Sequence, residues 1–339
     1  MSGIWMALLG GLFIALSSSV NYVLFGKITG LSGYLFTVFS GNPRSLYVDR
    51  LCFLVGLVSV VDWYFVGYGT KIWGATVIGS EESVNVALMA LGGFLVGVGV
   101  RWGGGCTSGH GVCGVPRLSL RSLIAVPTFM ASGIITATLL SKLDPILPEY
   151  TVSLSLIDQY SLLKSLPKYL LCAGQGTAAL LVVYTLIKGK NFAEKVKPQV
   201  FFLTGMVFGV GLLVSGMCNR MKILGFLTIG GDWDPSLIFV MASAVTINFF
   251  TFQSILMWNR SVFNDHIDVP DKHFHISCVV GPLLFGIGWG LTGLCPGPAL
   301  ANITTTVYAL PLVIIIFIGQ QVHDKLDDLH SSLTKKKVS

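Results

Sequence analysis

Two copies of one glycine-rich motif occur in this chain, GGFLVGVGVRWGGGC at residues 92–106 and PLLFGIGWGLTGLC at residues 282–295. At an offset of 189 residues the glycines of the two copies align, and the closing cysteines coincide. A second block aligns at a similar offset, between residues 27–30 and residues 222–225. Glycine matches alone would be weak evidence, because glycine-rich spans often resemble one another. The matched cysteine and the second block favour an internal repeat.

The composition is typical of a chain embedded in a lipid bilayer. Of the 339 residues, 53% are hydrophobic and only 11% are charged, and the mean hydropathy is +0.75. An ordinary soluble domain carries about 25% charged residues, so these charges are too few for a solvated surface. The composition argues against a soluble enzyme, a disordered chain and a nucleic-acid partner. We attribute the net charge of +6 to membrane topology and anionic lipid.

Hydropathy predicts an all-α polytopic membrane protein with about nine transmembrane helices and about four short re-entrant helices. The predicted spans are residues 3–25, 51–66, 84–100, 123–140, 169–187, 200–217, 237–258, 276–294 and 303–318. The predicted re-entrant segments are residues 26–33, 103–114, 215–226 and 293–300. Each of these segments is rich in glycine or proline, as broken helices are.

The repeat divides the chain into two halves of similar organisation. Half A covers residues 1–140, a linker with the fifth span covers 141–198, half B covers 199–322, and a cytoplasmic tail covers 323–339. Corresponding spans are five spans apart, and an odd offset reverses the direction in which a span crosses the membrane. The halves are therefore predicted to be inverted repeats, with a substrate site near the membrane midplane built from discontinuous helices.

Basic residues predict the orientation in the cell membrane. Of the 22 Lys and Arg residues, 16 fall on the side that carries the loop after the first span and the C-terminus. The positive-inside rule then places the C-terminus in the cytoplasm and the N-terminus outside.

Both copies of the motif end in a cysteine at the start of a predicted short helix. Cys106 precedes Thr107 and Ser108, whose hydroxyl groups suit the N-cap position. Cys295 precedes Pro296, and proline favours the first turn of a helix. Because the halves are inverted, these two cysteines are predicted to approach one another from opposite leaflets and to line a central path.

Further candidates lie in the other re-entrant segments. Cys218 and His110 are predicted to line the path, His110 as a hydrogen-bond donor. Five basic residues lie near these segments and are predicted to favour an anionic solute, because charges within a membrane usually face an aqueous cavity or a partner. They are Arg101, Arg117, Arg121, Arg220 and Lys222. Arg101, Arg220 and Lys222 are the candidates for steering the anion toward the path. The alternative for each basic residue is a contact with lipid headgroups.

The remaining cysteines predict no metal site and no cofactor. None of the seven cysteines forms a CxxC pair, and Cys52, Cys172 and Cys278 lie within apolar spans as small filling residues. No nucleotide-binding motif and no Ser/His/Asp arrangement occurs, so the sequence predicts a protein that is not an enzyme.

Several motifs resemble the YeeE/YedE family of sulfur-compound transporters. GCTSGHGVCG at 105–114 and RLSLRSLIAVPTFM at 117–130 resemble one half of that family. SGMCNRMKILGF at 215–226, GGDWDPSLIFVMA at 230–242 and FGIGWGLTGLCPGPAL at 285–300 resemble its partner half, which is a separate chain in some relatives. The resemblance covers almost the whole chain outside the linker and the tail.

The resemblance implies an hourglass-shaped thiosulfate uptake protein in which cysteines line the path. Cys106 and Cys295 match two of the family's cysteines. The third lies in the first span or its re-entrant loop, where this chain has no cysteine, and Cys218 is the candidate substitute. The family context also implies a cytoplasmic sulfur carrier or sulfurtransferase as partner. Two alternatives stay open: an integral-membrane sulfurtransferase that forms a cysteine persulfide, and a channel for another small sulfur or selenium solute.

Overall fold

The computed structural model describes most of the chain. The described residues are 2–40, 44–69, 71–72, 75–76, 84–143, 175–176, 180, 183, 187, 191–230, 233–263, 266–269 and 274–338. The predicted fifth span, residues 169–187, lies outside this part apart from isolated positions.

The described part consists almost entirely of helices. The α-helices are α1 (Ser2–Phe25), α2 (Leu31–Phe39), α3 (Arg44–Tyr68), α4 (Val86–Gly103), α5 (Leu120–Leu143), α6 (Phe192–Ser215), α7 (Arg220–Leu227), α8 (Ser236–Trp258), α9 (Ser277–Thr292), α10 (Pro296–Ala301) and α11 (Ala309–Val338). A π-helix covers Thr107–Gly114, and a short antiparallel hairpin pairs β1 (Lys71–Ile72) with β2 (Ala75–Thr76).

The all-α polytopic prediction is confirmed in the described part of the chain. Seven helices there are long and apolar enough to cross a membrane, and α9 is an apolar helix of 16 residues. Large apolar side chains remain exposed on their outer faces, such as Trp5, Leu139 and Phe250. Such faces suit lipid and not water. The π-helix lies within its predicted re-entrant segment, and α7 and α10 each extend one residue beyond theirs. The first segment, residues 26–33, reaches only the start of α2, which begins at Leu31 and ends at Phe39.

The start of the last predicted span is wrong. Hydropathy placed it at residue 303, whereas α11 begins at Ala309. The intervening residues form turns in which the N–H groups of Thr305 and Thr306 donate to the carbonyl of Asn302. Hydropathy cannot distinguish an apolar helix from an apolar turn that is packed inside the protein. At its other end, α11 continues through the predicted tail to Val338.

Corresponding helices of the two halves pack antiparallel. A Cβ atom placed on Gly10 of α1 would lie 2.8 Å from the carbonyl oxygen of Gly211 in α6. Farther along α1, the Ser17 hydroxyl donates to the carbonyl of Thr204, at 2.7 Å. Rising residue numbers in α1 thus meet falling numbers in α6, so these two helices run in opposite directions.

The same arrangement holds for α4 and α9, which carry the glycine motif. Gly92 lies against Gly288, and Gly99 lies against Gly281. In the sequence alignment, Gly92 corresponds to Gly281 and Gly99 corresponds to Gly288. In the structure, Gly92 instead contacts the counterpart of Gly99, and Gly99 contacts the counterpart of Gly92. A two-fold axis between inverted repeats produces this reciprocal pattern of contacts.

The remaining packing follows the same exchange. Helix α1 packs on α8 as α3 packs on α6, and α4 packs on α11 as α5 packs on α9. Replacing each helix by its counterpart in the other half converts the first contact of each set into the second. The inverted repeat predicted from the sequence therefore describes the fold, whereas the exact domain limits at residues 140, 198 and 322 stay predictions.

We expect Gly99→Ala to destabilise the protein by about 1–3 kcal/mol, because overpacking a tight contact costs this much. A Cβ atom there would lie 2.7 Å from the Cα atom of Phe285 and 2.8 Å from the Gly281 carbonyl oxygen. The matched control is Gly67→Ala in α3, where a Cβ atom would meet nothing within 4 Å. Denaturant unfolding in mixed micelles compares the two, and equal stabilities would contradict the close contact.

Candidate functional site

Two turns of the same conformation carry the aligned cysteines. Gly104, with φ 79°, directly follows α4, and Gly293, with φ 69°, directly follows α9. Glycine suits both positions, because this left-handed region is strained for other residues. Two residues later, Cys106 and Cys295 adopt extended backbone with φ −112° and −92°. The repeat in sequence is thus a repeat in backbone geometry.

Each cysteine occupies the N-cap position of a short helix. Cys106 precedes the π-helix and Cys295 precedes α10, which has Pro296 in its first turn. The expected N-cap at Thr107 or Ser108 is therefore wrong, since the helix begins at Thr107. The hydroxyl groups of Thr107 and Ser108 instead form hydrogen bonds with residues of other segments. No pattern in the neighbouring sequence predicts those hydrogen bonds.

The two cysteines line one small cavity between the halves. Thr107 Oγ1 donates to Cys295 Sγ at 3.4 Å, and Cys106 Sγ lies 3.2 Å from Ser108 Oγ. Both thiols are almost completely buried. The rest of the lining is mainly apolar and includes Phe208, Leu212, Met217, Val240 and Met241. We call this space the cysteine cavity.

The cysteine cavity is narrow. Its volume is about 30 Å³. A cavity of roughly 10–15 Å³ on this measure suffices for one water molecule. A sulfur oxyanion is much larger than water, so the cavity in this structure is a closed constriction.

Cys218 lies beside this cavity without lining it. Its side chain is fully buried, and its carbonyl accepts a hydrogen bond of 2.7 Å from the Asn302 side chain. The preceding residue, Met217, lines the cavity instead. The predicted role of Cys218 in the path stays a prediction.

A second, larger cavity is polar and strongly basic. It has a volume of about 670 Å³ and lies where the ends of α1 and α4 meet the beginnings of α3 and α6. Five basic side chains and two carboxylates line it, a net charge of +3 among the described residues with histidines neutral. These are Lys27, Arg50, Arg117, Arg121, Lys197, Asp49 and Asp268. We call this space the basic vestibule.

Both carboxylates of the vestibule pair with lysines. Lys27 Nζ lies 2.9 Å from Asp268 Oδ1, and Lys197 Nζ lies 2.5 Å from Asp49 Oδ2. The second pair joins α6 to α3. The arginine charges are left without a carboxylate partner in the part of the chain that the structure describes.

Neutral groups position the three arginines. Arg117 donates to the carbonyls of Cys113 and Asp268, at 2.9 and 2.7 Å. Arg121 donates to the Gly103 carbonyl at 2.8 Å, and Arg50 donates to the hydroxyl of Thr37. Arg117 and Arg121 follow a predicted re-entrant segment, and this position indicates a place near a cavity. No sequence pattern indicates such a place for Arg50 or Lys197.

The three predicted steering residues lie elsewhere. Arg101 pairs with Asp324, with Nη2 2.7 Å from Oδ2. Arg220 Nε donates to the carbonyl of Thr292 at 2.8 Å, and Lys222 Nζ donates to that of Ser215 at 2.9 Å. The last two close the final turns of α9 and α6, a common role for basic residues at helix C-termini. None of the three lines either cavity.

His110 lies on the vestibule side of the π-helix. It is 4% exposed, its Nδ1 lies 3.0 Å from Ser122 Oγ, and its ring packs against Gly105. Its Nε2 atom has no hydrogen-bond partner within the described residues. The histidine predicted for the path therefore faces the basic vestibule and not the cysteine cavity.

A thin wall separates the two cavities. The N–H of Leu31, in the first turn of α2, donates to Ser108 Oγ in the π-helix at 3.2 Å. Leu31 and Ser108 line the cysteine cavity, whereas their neighbours Gly30 and Gly109 line the vestibule. We call this contact the dividing wall.

The described residues offer no group of three or more His, Cys, Asp or Glu side chains that could hold a metal ion.

Two inverted halves with broken helices at their meeting point define the class, a multi-pass membrane transporter. Residues 1–136 match the family described as Sulphur transport, and residues 199–335 match a family of unknown function, DUF6691.

Similar proteins are about as long as one half of this chain. Two proteins of Xylella fastidiosa strain Temecula1, each named a probable transporter, are 35% and 38% identical over 139 residues, which cover 94% and 96% of their length. A probable transporter of strain 9a5c is 37% identical over 130 residues, or 89% of its length. These stretches cover 38–41% of this chain. The chain belongs to the Sulphur transport (YeeE/YedE) family, with both halves fused.

Ser108→Ala should destabilise the protein by about 1–3 kcal/mol, because the buried N–H of Leu31 loses its acceptor. The control is Ser332→Ala in the exposed end of α11, whose effect should stay within about 0.5 kcal/mol. Denaturant unfolding in mixed micelles measures both. Equal stability of the two variants would show that the dividing wall does not depend on this hydrogen bond.

Proposed function

We propose that this transporter takes up thiosulfate through a central path in which the cysteine cavity is the selective constriction. One observation carries the proposal. Cys106 and Cys295 come from opposite, inverted halves, have the same backbone conformation and line one cavity. Membership of a sulfur transport family supports a sulfur-containing solute.

The groups of the constriction suit the two chemically different ends of thiosulfate. Its terminal sulfur is soft and accepts weak hydrogen bonds, whereas its oxygens accept strong ones. Neutral thiols are weak S–H donors, and the hydroxyl groups of Thr107 and Ser108 lie next to them. Contacts of this strength hold the anion briefly without trapping it, as conduction requires. Sulfate lacks the soft end and would lose this interaction.

Passage requires the constriction to open. The present cavity of about 30 Å³ is too small for the anion, and its walls belong to both halves. Inverted-repeat transporters change access by moving one half or bundle against the other. We propose that the dividing wall between α2 and the π-helix separates during this movement, which would connect the cysteine cavity with the basic vestibule.

The sulfurtransferase alternative receives less support from the geometry. A nucleophilic thiol needs an activating base within hydrogen-bond reach. Within the described residues, the side-chain hydrogen-bond partners of Cys106 and Cys295 are hydroxyl groups, and His110 faces the vestibule. On the orientation predicted from basic residues, the vestibule opens to the cytoplasm. A cytoplasmic sulfur carrier or sulfurtransferase would then receive the anion there.

We expect Cys106→Ala and Cys295→Ala each to lower thiosulfate uptake about two- to tenfold, since a hydrogen bond from a weak donor such as a thiol is worth about 0.5–1.5 kcal/mol. Cys278→Ala is the matched control, because Cys278 is equally buried but lines neither cavity. The measurement is uptake of radiolabelled thiosulfate into liposomes that contain only this protein.

Two outcomes would contradict the proposal. Undiminished uptake in both cavity variants, at equal protein incorporation, would remove the cysteines from the path. A stable gain of one sulfur atom on Cys106 or Cys295, detected by mass spectrometry after incubation with thiosulfate, would favour the persulfide-forming enzyme.

A further inference from the structure

We propose that the basic vestibule is a binding site for small dianionic oxyanions, and that it selects by charge and not by the presence of sulfur. The inference rests on the proposed function only for the class of anion that reaches the site. Discrimination between thiosulfate and sulfate would then belong to the cysteine cavity alone.

The excess positive charge of the vestibule favours the binding of an anion. The two carboxylates of the vestibule are neutralised by Lys27 and Lys197. The charges of Arg50, Arg117 and Arg121 therefore remain uncompensated by carboxylates among the described residues. Charges of one sign in a cavity with low-dielectric walls raise the local concentration of the opposite ion.

Two arginine side chains of the vestibule are also held in place before any anion binds. Arg117 is 8% exposed and is held by two backbone carbonyls, and Arg121 is held by the end of α4. A guanidinium has several N–H groups in a rigid fork, so each of these side chains keeps donors for a planar pair of oxygens.

Two further groups lining the vestibule can donate to an oxyanion. His110 is more than nine-tenths buried and has an Nε2 atom without a partner in the described part of the chain. The first turn of α2 contributes Ser32 and Gly33 to the lining. N–H groups at the start of a helix attract anions. The vestibule thus combines charge, fixed donors and an unused polar atom.

The chemistry of the vestibule explains why it would not select for sulfur. Its described lining contains no cysteine or methionine. Both thiols that could sense a soft sulfur lie beyond the dividing wall. Sulfate and thiosulfate have the same charge and similar shape, so hard N–H donors should bind them alike.

Gly109 offers a sharp test of this site. It lines the vestibule, and a Cβ atom there would meet nothing within 4 Å. Gly109→Asp and Gly109→Asn add side chains of equal size, and only the first adds a negative charge. Binding of sodium sulfate and of sodium thiosulfate to the purified full chain is measured by isothermal titration at low ionic strength. Relative to the Asn variant, the Asp variant should bind both dianions about tenfold more weakly or worse.

A second pair of variants tests the arginines and remains informative if a Gly109 variant fails to fold. Arg50→Gln should weaken both dianions to a similar degree. Arg101→Gln should not, because Arg101 lies outside the vestibule and pairs with Asp324. Cys278→Ala should leave both affinities unchanged, because Cys278 is buried and lines neither cavity.

Three results would overturn the inference: equal binding to the Asp and Asn variants, equal losses in Arg50→Gln and Arg101→Gln, or wild-type binding of thiosulfate without sulfate. These results are separable from a failure of the proposed function. If the cysteine variants keep full uptake while the vestibule variants lose dianion binding, the thiol path fails and the vestibule stands. If the cysteine variants lose uptake while the vestibule variants keep dianion binding, the inference about the vestibule fails and the thiol path stands.

Discussion

Close backbone contact between glycine faces holds the two halves of this protein together. Helix α4 touches α9 through Gly92, Gly99, Gly281 and Gly288, and no side chain separates the backbones there. Helices in lipid associate through such small-residue contacts, since lipid tails provide no hydrophobic drive between them. The contact sets the positions of the two helix ends. Those ends carry the left-handed glycine turns, and the turns carry Cys106 and Cys295.

Buried hydrogen bonds between the halves complement this contact. Ser17 and Asn21 of α1 both bond to Thr204 of α6. Within half B, the Asn302 side chain donates to the carbonyl of Cys218. Polar groups within a membrane need protein partners, because lipid offers none. These bonds would hold the short helices in place around the constriction while leaving the thiols without strong partners.

In the proposed transport of a sulfur oxyanion, the two cavities would have different chemical roles. The vestibule has hard cationic donors and space, whereas the cysteine cavity has weak donors and little space. A strong site at the constriction would trap the anion, so weak donors suit that position. The hard donors lie beyond the dividing wall, on the side from which the anion would leave for the cytoplasm.

Local patterns were sufficient to predict the repeat, its inversion, the seven described helices that could cross a membrane and the pair of cysteines before short helices. Glycine spacing, hydropathy and the turn-forming residues are properties of neighbouring positions, so they can be read along the chain. The roles of the basic residues could not be predicted this way. Arg50 and Lys197 reach the vestibule, whereas Arg220 reaches a carbonyl 72 residues away. An arginine can satisfy its charge at a headgroup, a helix end or a cavity, and the choice depends on segments that meet only when the halves pack together.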